Sequence, residues 1–142
     1  MTILSKLIDP NSDVDDPIHR EAIRKALNLL LTVEDYRAIG AANQPAFENT
    51  WSNRSGNPVA AFYKDPFRRV WLKGGIDSGT NSATAFTLPV GYRPSERRIF
   101  TTSKIAASNV SGIVVVNTDG TVVPSVGNTN GVSLDGMSFR VA

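Results

Sequence analysis

Residues 59–73, VAAFYKDPFRRVWLK, carry the pattern that decides the fold. Side chains alternate with a period of two on both sides of the central Asp-Pro, so that Val70 and Leu72 fall on one face and Trp71 and Lys73 on the other. Successive side chains of a strand point to opposite faces, so this alternation predicts two strands. The Asp-Pro turn between them predicts an antiparallel hairpin.

The same short period continues to the C-terminus. Further strands are predicted over residues 84–88, 98–105, 112–116, 121–126, 131–134 and 137–141. Asp119-Gly120 supplies the positive φ that a tight hairpin needs, and Asp135-Gly136 separates the last two strands, which are expected to pair. About eight short strands at regular spacing predict a mainly β chain, an antiparallel β-sandwich of jelly-roll type over residues 46–142.

Residues 1–45 have a helical period instead and are expected to form an N-terminal helical arm. Asp15, Asp16 and Pro17 predict a helix start, because a carboxylate caps free amides and proline fits the first turn. Apolar residues then recur at steps of three and four: Ile18, Ala22, Ile23, Ala26, Leu27 and Leu30. Thr32 predicts the cap of a second short helix that ends at Gly40.

The apolar stripe of this arm has two interpretations. It packs either on the β domain of its own chain or against copies of itself around a symmetry axis. Packing on the chain's own β domain is the default. The spacing of Ile23, Leu27 and Leu30 also fits a heptad seam, but it covers only about two turns, too few for an independent coiled coil. The expected attachment or oligomer interface consists of Ile18, Ile23, Leu27 and Leu30.

Composition excludes several kinds of chemistry. The 142 residues contain no cysteine and one histidine, which excludes a cysteine nucleophile, disulfides and a cysteine or multi-histidine metal centre. The longest apolar runs fall far short of the roughly 20 residues that span a bilayer, so no membrane insertion is expected. Asp9, Asn11, Asp13 and Asp15 have the spacing of a calcium loop, but its glycine and closing glutamate are absent, which favours an acidic linker.

Charge is divided unevenly along the chain. Residues 1–50 carry five basic and eight acidic groups, and residues 51–142 carry ten basic and five acidic ones. The basic groups occur mainly as pairs, Arg68-Arg69 and Arg97-Arg98, without the stripe that nucleic-acid binding requires. We therefore expect a solvated basic face and no nucleic-acid partner.

No catalytic constellation is found in the sequence. The chain lacks a Gly-x-Ser-x-Gly elbow and a phosphate loop, and His19 lies on the predicted helix beside Arg20 and Glu21. Most carboxylates of the β region stand beside Pro, Gly or Ser, where capping of a turn explains them. The sequence therefore predicts neither an enzyme nor a cofactor.

The order of motifs carries a family resemblance. The chain has FTLPVGYRP at residues 86–94 and SLDGMSF at residues 133–139, after the hairpin of residues 59–73. Over about residues 45–142 it resembles the small β-sandwich head domain at the ends of tailed-bacteriophage fibres, minor tail proteins and other virion appendages. The resemblance implies a non-enzymatic virion structural protein, a homotrimeric surface appendage of tail or capsid, assembled in the bacterial host cytoplasm. Because the last strand ends almost at the terminus, we also expect a complete protein.

The same resemblance implies partners. The helical arm is the expected attachment to another virion protein. Host contact is expected at two small polar loops, residues 79–82 with Thr80 and Asn81, and residues 127–131 with Asn128 and Asn130. Composition alone favours plain solvent exposure for such loops.

A receptor- or glycan-binding module is the alternative function. Trp51, Tyr63, Trp71 and Tyr92 offer flat rings near asparagine and serine loops, as carbohydrate sites do. Against this, large rings in a small sandwich need burial, which favours a core or interface role for six aromatics: Phe47, Trp51, Phe62, Trp71, Phe86 and Phe100.

Overall fold

A computed structural model describes residues 17–103, 111–125 and 131–141. These residues form one helix, α1 (Pro17–Leu31), and eleven strands. The strands are β1 (Arg37–Ala38), β2 (Ser52–Asn53), β3 (Ala61–Lys64), β4 (Arg69–Lys73), β5 (Gly75–Asp77), β6 (Phe86–Thr87), β7 (Arg98–Ser103), β8 (Ser111–Val116), β9 (Thr121–Ser125), β10 (Val132–Ser133) and β11 (Ser138–Arg140). The predicted fold class, mainly antiparallel β with an N-terminal helix, is confirmed.

The strands form three small antiparallel sheets. The first sheet has the order β1-β3-β4-β11, the second β10-β5-β2 and the third β6-β9-β8-β7. The sequence predicts about eight strands and misses β1, β2 and β5. These contain only two or three residues, too few to display a period.

All three sheets contribute to one hydrophobic core. Phe62 and Phe139 enter it from the first sheet, Ile76 from the second, and Phe86 and Val114 from the third, and each is almost fully buried. Burying a side chain of this size contributes about 1.5–3 kcal/mol. The core therefore holds the sheets together in a chain that has no cysteine for a disulfide.

The two hairpins with clear sequence patterns form as predicted. In residues 59–73, β3 pairs with β4, and Val70 and Leu72 are buried while Trp71 and Lys73 stay partly exposed. In the second hairpin β8 pairs with β9, and Gly120 has the expected positive φ of 90°. Asp119 Oδ1 accepts hydrogen bonds from the backbone N–H and hydroxyl of Thr121, which holds the turn.

The predicted pairing of the last two strands is wrong. β10 pairs with β5 and β11 pairs with β4, so the turn at Asp135-Gly136 carries the chain from the second sheet to the first. Asp135 Oδ1 accepts a hydrogen bond from the Gly74 N–H, which ties this turn to the end of β4.

Within the described residues, the N-terminal region is helical over a shorter range than predicted. α1 covers Pro17–Leu31, and Thr32 caps no second helix, because its hydroxyl donates back to the Asn28 carbonyl at 2.6 Å. Residues 37–38 form β1, and the adjacent Ile39 is buried. The chain divides into two compact units between Val33 and Glu34, whereas the sequence places the boundary at residues 45–46.

Candidate functional site

The expected interface residues lie on a surface of α1. Ile18, Leu27 and Leu30 are exposed by 77%, 49% and 53%, and Ile23 is partly buried. None of the helix's residues is buried. Glu21 pairs with Arg24 and Lys25 one turn further on, an arrangement that supports a surface helix.

The polar loop of residues 79–82 is anchored at both ends. Gly79 rests on the indole of Trp51 so closely that an added Cβ would lie 1.8 Å from Cδ2. On the far side, the Ser82 N–H donates to the Pro124 carbonyl at 2.8 Å. Thr80 and Asn81 are exposed between these anchors, whereas Asn128 and Asn130 lie outside the described residues.

Left-handed backbone conformations surround this loop. Asn49, Thr50, Ser78 and Ser82 have φ values of 50°, 64°, 63° and 61°. Positive φ is strained for a β-branched residue, and Thr50 is held there by its hydroxyl, which donates to the Ser78 carbonyl at 3.0 Å. Left-handed conformations therefore occur at Ser82, at the end of the loop, and in the segments next to it, at Asn49, Thr50 and Ser78.

Two of the four aromatic residues considered for a sugar platform are buried. Trp51 is 2% exposed beneath the polar loop, so that loop presents no tryptophan ring. Tyr92 packs edge-on against Phe62 and donates a hydrogen bond to Glu34 at 2.7 Å. Burial, followed by the Glu34 hydrogen bond, raises the pKa of Tyr92. These two side chains are structural.

The other two rings lie on the outer side of the first sheet. Tyr63, Trp71 and Ser138 stand opposite one another across β3, β4 and β11, and Tyr36 contacts the edge of Tyr63 with centroids 4.6 Å apart. We call this surface the aromatic–basic face. It consists of Tyr36, Tyr63, Arg69, Trp71, Lys73, Ser138 and Arg140.

Asp65 fixes the orientation of Trp71 on this face. Its Oδ2 accepts the indole N–H at 3.0 Å, while Oδ1 accepts the backbone N–H groups of Phe67 and Arg69 at 2.9 Å each. Burial raises the pKa of this carboxyl, but the Trp71, Arg69 and Phe67 hydrogen bonds and the Arg69 charge together hold it below the ordinary value. Asp65 therefore stays ionised and keeps the ring in place.

The cations of the face lie close to its rings. The Lys73 Nζ lies 4.1 Å from the Tyr36 ring centroid, and the Arg69 guanidinium carbon lies 5.9 Å from that of Trp71. Arg69 also stands directly opposite Arg140 in the strand register. An open groove of about 470 Å³ continues from this pair and is lined by Pro66, Phe67, Arg68, Arg69 and Arg140.

Sequence reasoning did not select Arg69, Lys73 and Arg140 as site residues. The period of two places Arg69, Trp71 and Lys73 on one face, so that signal was present in the hairpin. The pairing of Arg140 with Arg69 depends on which strand joins β4 from the end of the chain, and local sequence does not specify it.

No metal or membrane site emerges from the described ranges. In residues 17–103, 111–125 and 131–141, no three His, Asp or Glu side chains cluster in a way that would hold a metal ion. Over the same ranges, no helix combines the length and apolarity of a membrane span.

The comparisons with known proteins identify a structural relative. No protein-family model and no curated protein matches the chain. The fold is similar to the crystal structure of the receptor binding protein (gp15) of Listeria phage PSA, with a TM-score of 0.63 and 16% sequence identity. The likeness covers 98% of this chain and 86% of that one. This chain therefore has the fold of a phage receptor binding protein.

Proposed function

We propose that this chain is a non-enzymatic structural protein of a bacteriophage virion that contacts the host surface. The observation that carries the proposal is the match of nearly the whole chain, 98% of it, to a phage receptor binding protein. The motif order of residues 59–139, which resembles phage appendage heads, supports the same role from the sequence. The exposed Thr80-Asn81 loop and the aromatic–basic face are its candidate contact surfaces.

Adsorption of the phage that encodes the chain tests this role. Host cells incubated with the purified full chain should adsorb fewer phage particles, because the protein occupies their receptor. Antibodies against the chain should label the surface of intact particles. If the antibodies label no particles and the purified chain leaves adsorption unchanged, the proposal is wrong.

A homotrimer is the proposed assembly, and the third sheet supplies a surface suited to it. The outward side chains Ile99, Thr101 and Ile113 carry no charge, and the two isoleucines are 56% and 39% exposed. We call this surface the uncharged face. A subunit interface is commonly depleted of charge at its centre. Light scattering on the full chain should give a mass of about three chains that persists on dilution.

The proposed role of α1 is attachment to another virion protein. Its 15 residues are near the length below which an isolated helix is marginal in water. Its apolar residues Ile18, Leu27, Leu29 and Leu30 are exposed. Contact with a partner would bury these side chains and stabilise the helix.

A glycan-binding module whose main task is adhesion is the second candidate. The aromatic–basic face favours it, because Trp71 and Tyr63 are only partly buried. The adsorption experiment and the antibody labelling of particles together distinguish an adhesin from a virion protein. A chain that binds host cells but is absent from purified particles would be an adhesin and not a virion component.

A further inference from the structure

The aromatic–basic face concentrates positive charge in an unusual way. The face contains three basic residues, Arg69, Lys73 and Arg140, and Asp65 is the acidic residue that contacts it. Like charges directly opposite each other on an antiparallel pair are destabilising, yet Arg69 stands opposite Arg140. The oxygens of Asp65 are already engaged with Trp71 and two backbone N–H groups. The Arg69 guanidinium donates to Ser138, from Nε to the hydroxyl at 2.9 Å and from Nη2 to the carbonyl at 3.5 Å. An external anion would therefore neutralise positive charge on this face that no carboxylate of the described residues pairs with.

We propose that the aromatic–basic face binds an acidic sugar polymer. Guanidinium groups hold carboxylate or phosphate through paired hydrogen bonds, which suits Arg140 to the acidic substituent. Arg69, whose Nε and Nη2 donate to Ser138, adds its positive charge beside it. The adjacent rings of Trp71 and Tyr63 offer the apolar surface on which a sugar ring lies. This inference rests on the proposed host-contact function and names the chemistry of the receptor.

The dimensions of the face suit a chain of sugars better than a single ring. Arg69, Trp71 and Lys73 follow one another at every second residue of β4. At about 3.3 Å per residue the stretch from Arg69 to Lys73 is about 13 Å long. The groove at Phe67, which is 82% exposed, extends the surface beyond Arg69. Cations at both ends and a ring between them match a polymer with repeated acidic groups.

Four probes show whether binding requires negative charge, a sugar chain or both. The full chain is titrated with an oligogalacturonate, a neutral malto-oligosaccharide of equal length, polyphosphate and an oligothymidylate. Tryptophan emission reports binding, because Trp71 is partly exposed and Trp51 is buried. We expect the oligogalacturonate to bind most tightly and to be weakened by salt.

Matched arginine variants locate the site. Arg140→Gln should weaken oligogalacturonate binding roughly tenfold, the size expected for a lost charge-assisted contact. Arg97→Gln, a change at an exposed arginine outside the face, should leave binding unchanged. Equal loss in both variants, or none in Arg140→Gln, would overturn the proposal. Equal or tighter binding of any of the three other probes, or no binding of the oligogalacturonate, would overturn it as well.

The adsorption experiment tests host contact by the chain independently of acidic-sugar binding by the aromatic–basic face. If the wild-type chain and Arg140→Gln block adsorption equally, the host-contact role stands and the face is excluded as its site. If the chain binds the acidic oligosaccharide through Arg140 but never blocks adsorption, the face stands and the host-contact role fails.

Discussion

Asp65 links the stability of the hairpin to the presentation of Trp71. Its carboxylate has a pKa below the ordinary value, so it contributes stability that is fully present above the unfolded pKa and is lost as the pH falls through the lower folded pKa. Asp65→Asn should reduce stability by about 1 kcal/mol near neutral pH.

Urea denaturation at a series of pH values checks this prediction. The difference between wild type and variant should shrink below about pH 4 as the carboxylate protonates. In the variant, Trp71 emission should shift because the indole N–H loses its carboxylate partner. A stability difference that does not change with pH would contradict the assigned role of Asp65.

Gly79 shows why a loop residue can be fixed by packing alone. An added Cβ would lie 1.8 Å from Cδ2 of Trp51, so Gly79→Ala should destabilise the protein by about 1–3 kcal/mol or more through overpacking. Gly136→Ala is the matched control, because it has a φ of +78° and nothing within 4 Å of the added Cβ. That change should reduce stability by about 1 kcal/mol through the backbone alone. If both variants unfold at the same denaturant concentration, the Trp51 ring moves to make room for the added methyl group, and the prediction is wrong.

At the scale of elements, the uncharged face of the third sheet predicts how a charged substitution changes the oligomeric state. Ile99→Asp should reduce the proposed trimer to single chains, because burying an unpaired carboxylate in an interface is unfavourable. Val90→Asp provides the control, since Val90 is 82% exposed and lies outside the strands. Light scattering measures both. An unchanged mass for Ile99→Asp would place the interface elsewhere.

Elements with a repeated local pattern could be predicted from the sequence, and those without one could not. The hairpin of residues 59–73 has its period and its turn within fifteen residues, and α1 has a proline start and an apolar stripe. β5 forms by pairing with β2 on one side and with β10 on the other, and not because of a local pattern. The aromatic–basic face lies between these cases. Its β4 residues were predictable, whereas its partner Arg140 comes from a pairing between distant segments.

At the scale of the whole molecule, the boundary between Val33 and Glu34 can be tested by truncation. Removing residues 1–33 should leave a head whose thermal midpoint is close to that of the full chain. Removing residues 1–44 should lower stability by about 3 kcal/mol or more, because it deletes the buried Ile39. It also deletes Glu34, which accepts hydrogen bonds from Tyr92 and from the Lys64 N–H.

Removal of residues 1–33 can also be tested by its effect on particle assembly. The chain that lacks residues 1–33 should fold but fail to join phage particles, because α1 is the proposed attachment. Incorporation of that folded head at the wild-type level would exclude α1 as the attachment.

The anchoring of the polar loop has a consequence for how such a surface changes over generations. Gly79 is held by its contact with Trp51, and Ser82 has a left-handed φ of 61° that few residue types adopt readily, so both positions tolerate little variation. Thr80 and Asn81 between them are exposed and contribute no side chain to the core. A gene library randomised at the codon of Thr80 should yield mostly folded proteins with different surfaces. Under the proposed host-contact role, new recognition specificities should therefore be accessible here by single nucleotide changes.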